Sequence, residues 1–218
     1  MEPLRPPAAP APHALVLNGA RPDDPEVDAV ARQVAAELAR LGRDAQIATL
    51  RHLQIAPCLG CFECWTRSPG VCRTHDAARD LAQVYVSSEL VAFVTPVTFG
   101  GYSSELKKVL DRLACIALPF FSWAGGEVHH APRYARRPAL LVVGTLLEHA
   151  PPLERIFHEV ARRNAINIQP SAFSSHVIVT PAGVVDEAID PGLRGAMASL
   201  LERCGAPSSP AVAEGGAR

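Results

Sequence analysis

The chain predicts an α/β fold in which a parallel sheet is covered on both faces by helices. Three observations carry this. Short apolar runs alternate along the chain with stretches whose apolar residues recur at three- and four-residue spacing. The runs are apolar without alternation, as expected of strands buried on both faces, and they stop at Asn-Gly, Pro or Gly. At 218 residues and 48% apolar composition, the chain is long enough for one full-sized core.

The elements follow in order. Ala14 to Leu17 is the first strand, ending at Asn18-Gly19. Val27, Val30, Ala31, Val34, Leu38 and Leu41 then mark a helix, with Asp23 or Asp24 as its cap, Pro25 in its first turn and Gly42 past its end. Ala45 to Leu50 is a second strand, and a cysteine-bearing loop leads to a helix over about Asp76 to Val86. Leu90 to Thr95 is a buried strand stopped by Pro96, followed by a helix carrying Leu106, Val109, Leu110 and Leu113. Ala139 to Gly144 is a strand and Leu153 to Ala165 a helix; a last strand spans about Ala172 to Val179 and a last helix about Val185 to Cys204. Five strands and five helices in this order fit a flavodoxin-like three-layer sandwich with strand order 2-1-3-4-5. The stretch from Leu118 to Pro138 reads as irregular, and its Phe120, Phe121, Trp123, His129 and His130 suit a lid or a subunit contact. The Pro- and Ala-rich residues 1–12 and the small, polar residues 206–218 read as disordered tails around a single domain at 13–205.

Composition excludes some classes of function. A net charge of −1 with no long basic run argues against nucleic acid as a partner. No apolar run approaches the roughly 20 residues of a membrane helix, and the N-terminal residues lack the apolar core of a secretory signal, so a cytoplasmic location is expected.

Four of the six cysteines, Cys58, Cys61, Cys64 and Cys72, fall within fifteen residues at spacings of two, two and seven. Thiolates at this pitch suit a soft metal, because a short loop can turn them toward one point. Gly60 and Gly70 let the loop curl, and Phe62 and Trp65 can shield it. Four readings stay open: an iron-sulfur cluster, favoured by the ferredoxin-type spacing; a zinc site; a redox-active pair, Cys61 and Cys64; or a metal-free loop packed at a subunit contact. Cys115 and Cys204 lie on expected helices and read as buried. The adjacent His129 and His130 read as a surface loop pair, and Lys107, Lys108 and Arg112 as a solvated or subunit-facing stripe.

In a sheet of this kind a ligand sits beyond the carboxyl ends of the strands where their order reverses, here the turns after strands 1, 3 and 4. The second of these runs Thr95-Pro96-Val97-Thr98-Phe99-Gly100-Gly101-Tyr102-Ser103-Ser104, then Leu106, Lys107, Leu110, Asp111 and Arg112. Its glycines let backbone amides line a flat surface, and Ser103 or Ser104 can cap the next helix. This block resembles the (S/T)-P-x-(Y/T)-F-G-x-x-S-x-x-(L/F)-K-x-x-(L/I)-D-R segment of the NADPH-dependent FMN reductases, also called multimeric flavodoxins. Pro57-Cys58-Leu59-Gly60-Cys61-Phe62-Glu63-Cys64 with Pro69-Gly70-Val71-Cys72 and Asp76 is similar to the iron-sulfur flavoprotein branch of that family.

The resemblance implies an NAD(P)H-dependent FMN oxidoreductase, or an electron-transfer iron-sulfur flavoprotein. FMN would contact the backbone of Pro96, Val97, Thr98, Phe99, Gly100 and Gly101, with Gly144 and Thr145 approaching from the next loop. Gly19, Ala20 and Arg21 would hold its phosphate, and Cys58, Cys61, Cys64 and Cys72 would ligate a 4Fe-4S cluster. No side chain is implied as a catalytic acid or base. The expected partners are a small-molecule or protein electron acceptor and further copies of the chain, as a homodimer or homotetramer.

One loop departs from the family pattern. Relatives read G-S-x-R where this chain has Gly19-Ala20-Arg21, and Pro22 and Pro25 each remove an amide donor. Asp23, Asp24, Glu26 and Asp28 crowd a helix start that would otherwise favour a phosphate. The expectation is weakened or altered FMN binding. The alternative function is a flavodoxin-fold protein without FMN that serves as a binding or metal-sensing partner.

Overall fold

The computed structural model describes residues 14–124, 126–181 and 189–205. The tails expected at 1–12 and 206–218, and the start of the last helix near Val185, lie outside the described residues. The elements run β1 (Ala14–Asn18), α1 (Pro25–Arg40), β2 (Ala45–Thr49), α2 (Glu63–Thr66), α3 (Ala77–Ser87), β3 (Leu90–Pro96), α4 (Ser104–Arg112), β4 (Ala117–Ala124), β5 (Glu127–Pro132), β6 (Ala139–Leu146), α5 (Pro151–Ile168), β7 (Phe173–Val179) and α6 (Pro191–Gly205).

Five strands form one parallel sheet in the order β2-β1-β3-β6-β7. With the β4-β5 hairpin set aside, this is the expected order 2-1-3-4-5. The sheet is buried on both faces with period two. Leu15, Leu17, Val91, Phe93, Leu140 and Val142 pack on one side against Leu81 and Tyr85 of α3, Leu106 and Val109 of α4, and Phe157 and Ala161 of α5. Ala14, Val16, Ala92, Val94, Leu141 and Val143 pack on the other against Val27, Val30, Val34 and Leu38 of α1, and Leu193, Met197 and Leu200 of α6. Among the described residues, no helix is long and apolar enough to cross a membrane.

The stretch from 118 to 138 is irregular only after Pro132 among the described residues. Residues 117–124 and 127–132 pair as an antiparallel hairpin outside the main sheet, in register Trp123↔Val128 and Phe121↔His130. The signal was the Gly125-Gly126 pair between two runs of aromatic and branched residues, a hairpin turn sequence. Arg163 of α5 clamps Glu127 through both carboxylate oxygens, and Gln169 Nε2 donates to His130 O at 3.0 Å. His129 is thereby a buried strand residue against Asn167 rather than part of a surface loop.

Candidate functional site

The turns after β1, β3 and β6 are laced together at the carboxyl edge of the sheet. Gly19 N donates to Val94 O at 2.7 Å and Val97 N to Thr145 O at 2.9 Å. Ser103 is the N-cap of α4: its Oγ accepts from Leu106 N and donates to Gly19 O at 2.6 Å, which ties the first loop to the second. A Cβ on Gly19 would fall 2.9 Å from that Oγ, so the close approach requires glycine.

The Pro96–Gly101 turn projects from this base. Thr98 and Gly101 exchange backbone hydrogen bonds of 3.0 and 2.8 Å, leaving Phe99 and Gly100 at the tip. Both have positive φ, +50° and +78°. For phenylalanine that conformation is costly and is found where a loop is shaped for a ligand. Phe99 is 97% exposed. Gly100 lies on α5, where a Cβ would meet Ile156 Cγ2 at 2.4 Å. Gly144 is held close in the same way, with Phe157 and Val97 within 2.8 Å of where its Cβ would be, and Thr145 is buried beside it. The turn is therefore packed closely at its glycines and presents one exposed aromatic, Phe99.

The first loop is closed on itself. Asn18, buried, accepts from Ala20 N at 3.0 Å and donates to Asp28 Oδ1 at 2.7 Å. Asp24 accepts from Arg21 N at 2.9 Å, Nε at 2.8 Å and Nη2 at 3.0 Å. Asp28 takes both terminal nitrogens of Arg51 at 2.8 Å. Burial pushes the Asp24 carboxyl up, but the bonds and charge of Arg21 outweigh it and hold it below the ordinary carboxylate range. The carboxylate thus sits on the amide and guanidinium that a phosphate would use. Ala20, at the family's serine position, is fully buried and offers nothing in exchange. The residues present fit the flavin ring and do not fit its phosphate.

The cysteine loop stands beside the far end of α4. Asp76 caps α3 through Ala78 N, accepts from Ala56 N at 2.9 Å and pairs with Arg112 through both oxygens. Arg112 also donates to Ala56 O at 2.8 Å and Thr74 O at 3.3 Å, so one guanidinium staples the two ends of the loop that holds Cys58, Cys61, Cys64 and Cys72. Arg112 is 4% exposed, not part of a solvated stripe with Lys107 and Lys108. It follows Leu106 and Val109 on the buried face of α4, and the Asp76 carboxylate makes its burial tolerable. That periodicity was readable; the charge hid it. Trp65 Nε1 donates to Ala114 O at 2.8 Å, and Arg133 donates to the carbonyls of Cys64, Cys115 and Ala117.

Within this frame Cys58 and Cys61 are exposed, Cys64 and Cys72 half-buried and Cys115 buried. All six cysteines of the chain are free thiols, and Cys204 is half-buried rather than buried. Gly60, Phe62 and Gly70 turn the loop with φ of +62°, +55° and +83°. Burial raises the Cys64 thiol above its usual range, and the Cys72, Cys58 and Cys61 thiols add to the shift. Among the described residues, no three His, Cys, Asp or Glu side chains are gathered closely enough to hold a metal ion. The donor set is of thiolate chemistry, four free thiols on one loop whose ends Arg112 holds together, but no three of them converge on one point.

The model of the NADPH-dependent FMN reductase family matches residues 12–177. An iron-sulfur flavoprotein of Methanocaldococcus jannaschii is 23% identical over 104 residues, 48% of this chain and 53% of the relative. An iron-sulfur flavoprotein of Archaeoglobus fulgidus is 28% identical over 87 residues, 40% of this chain and 44% of the relative. The chain spans about half the length of these curated relatives. An NAD(P)H:quinone oxidoreductase from Methanothermobacter marburgensis superposes with a TM-score of 0.58 over 89% of this chain and 96% of that one; at 12% identity the likeness shows the fold. Since the family match takes in the sheet from β1 into β7, the Pro96–Arg112 block and the cysteine loop together, the chain belongs to the NADPH-dependent FMN reductase family.

Proposed function

We propose that this chain is an NAD(P)H-dependent flavin oxidoreductase that passes electrons onward through a 4Fe-4S cluster held by Cys58, Cys61, Cys64 and Cys72. The observation that carries the reading is α4 itself. Its N-cap, Ser103, directly follows the Pro96–Gly101 turn and is bonded to Thr95 Oγ1 and Gly19 O at that turn's base, and its last residue, Arg112, closes the cysteine loop. One short helix therefore fixes the flavin turn relative to the thiols, as a relay between two redox groups requires. FMN, when bound, supplies hydride and one-electron chemistry. The chain's own part is to orient the ring with the backbone of Pro96, Val97, Thr98, Phe99, Gly100 and Gly101, and with Gly144 and Thr145 behind it. Gly19, Ala20 and Arg21 form the phosphate loop, with Asp24 competing for it. The names of the curated relatives support the cluster, and free thiols suit a reducing cytoplasm. The electron acceptor is a small molecule or a protein. The exposed aromatics of the β4-β5 hairpin support self-association as a homodimer or homotetramer.

A second reading has its own observation. Because Asp24 occupies the phosphate position, the chain can hold a cluster without FMN and act as a binding or metal-sensing partner. The absorption spectrum and iron content of anaerobically purified protein separate the two. Yellow flavin bands with brown cluster absorption support the relay. Brown without yellow supports the second reading, and a colourless, iron-free protein overturns both.

A further inference from the structure

A groove of about 320 Å³ lies between α4 and α5, bordered by the β4-β5 hairpin. That volume is in the range of small-molecule sites. Leu110, Leu113, Ile116 and Ile168 give it apolar walls, and the rings of Trp65 and His130, 4.5 Å apart, complete them. It stands apart from the flavin turn: Gly100 lies against Ile156, and Asn164 is two turns further along α5, about 12 Å at the rise of a helix. Several polar atoms of the wall are unengaged. Asn164 and Asn167 stand one turn apart, and each gives one carboxamide atom to the protein: Asn164 to the Tyr102 hydroxyl at 3.2 Å, Asn167 to Nδ1 of the buried His129 at 2.8 Å. The other atom of each makes no hydrogen bond among the described residues. His130 Nδ1 is buried and likewise unbonded, which is costly without a partner. A hydroxyl and an imidazole nitrogen can each donate or accept, so either carboxamide can turn over and offer its C=O or its NH2 while keeping its anchor.

We propose that this groove is a binding site for a neutral, planar heteroaromatic with a lactam edge, a ring C=O beside a ring N–H. A flat ring suits walls made of aliphatic side chains and two aromatic rings. A lactam edge asks for a donor and an acceptor side by side, which two carboxamides three residues apart on one helix supply. Neutrality follows from the charges: Lys107, the cation among the lining residues, is already paired with Asp111, so an anionic ligand gains little there. The site uses neither the cysteine thiols nor the phosphate loop, so it stands whether or not the chain holds a cluster or FMN.

The probe is isocarbostyril, a bicyclic lactam, compared with its N-methyl derivative, which lacks the N–H, and with naphthoate, which is charged. Calorimetry on the wild-type chain should give the lactam a dissociation constant below about 1 mM, and the other two should bind about tenfold more weakly or worse. The indole N–H resonance of Trp65, whose Nε1 donates to Ala114 O in the groove wall, should move as the lactam binds. Asn164→Leu should weaken the lactam about tenfold and leave the N-methyl compound as it was. Ala114→Phe, which fills the groove and changes neither carboxamide, should abolish binding. No lactam binding, equal binding of the lactam and its N-methyl derivative, or a Trp65 resonance that stays still on binding would overturn the proposal. Should a variant fail to fold, the wild-type comparison and the Trp65 resonance decide. Light scattering covers the other occupant: an oligomer that Ala114→Phe reduces to one chain, with no lactam bound by the wild type, makes the groove a subunit contact and sinks the proposal.

Discussion

Asp24 closes the first loop on itself. Its carboxylate takes the Arg21 amide and guanidinium together, and Pro22 and Pro25 leave few other donors nearby. A phosphate dianion within about 6 Å of that charge meets about 5 kcal/mol of repulsion at an effective dielectric of about 20, before screening by salt. Asp24→Ser should therefore tighten FMN binding by about tenfold or more, while riboflavin, which has no phosphate, binds as before. Titrating both flavins by fluorescence quenching checks this. Equal changes for the two, or none, would show that the carboxylate stands clear of the site. The acidic, proline-rich run was plain in the sequence. That Asp24 folds back onto Arg21 while Asp28 turns to Asn18 and Arg51 was not, because the choice depends on the helical turn after β2 placing Arg51 beside α1.

At the scale of elements, the ends of β3 and β6 are shaped by close packing as much as by any ligand. Gly144 lies where a Cβ would sit within 2.8 Å of the Phe157 ring and Val97. Gly144→Ala should destabilise the flavin-free protein by about 1–3 kcal/mol through overpacking, measured by urea unfolding. A variant that loses flavin affinity at unchanged stability would instead assign Gly144 to the ligand face. Periodicity alone located α1, α3, α4 and α5 and the five strands of the sheet, because the apolar faces of those elements are continuous in sequence. The hairpin was missed because Phe120, Phe121 and Trp123 remain exposed, so β4 has no buried face to betray its period.

At the scale of the molecule, the hairpin is the surface left without a partner. Phe121, Trp123 and Val128 share one face, and they are 69%, 74% and 57% exposed. Phe121 stacks on His130 at 4.8 Å, His130 meets Trp65 at 4.5 Å and Trp65 meets Phe62 at 4.9 Å, so aromatic rings run from the cysteine loop out to this face. The neighbouring groove, about 320 Å³, is lined by Trp65, Leu110, Leu113, Ile116, His130 and Ile168. If these surfaces hold copies together, Phe121→Ser combined with Trp123→Ser should lower the mass measured by light scattering to that of one chain. An unchanged mass would place the contact elsewhere.

The sequence by itself determined the α/β class, the strand order, the turn after β3 and the four-thiol loop, because each is written in a local pattern of period, glycine or cysteine spacing. Only the tertiary structure decided that Asp24 folds back onto Arg21, that Arg112 is buried against Asp76, and that residues 117–124 and 127–132 pair as a hairpin. The reason is common to all three. A charged or exposed side chain has no period of its own, and its role is set by which distant residue the fold brings within hydrogen-bonding reach.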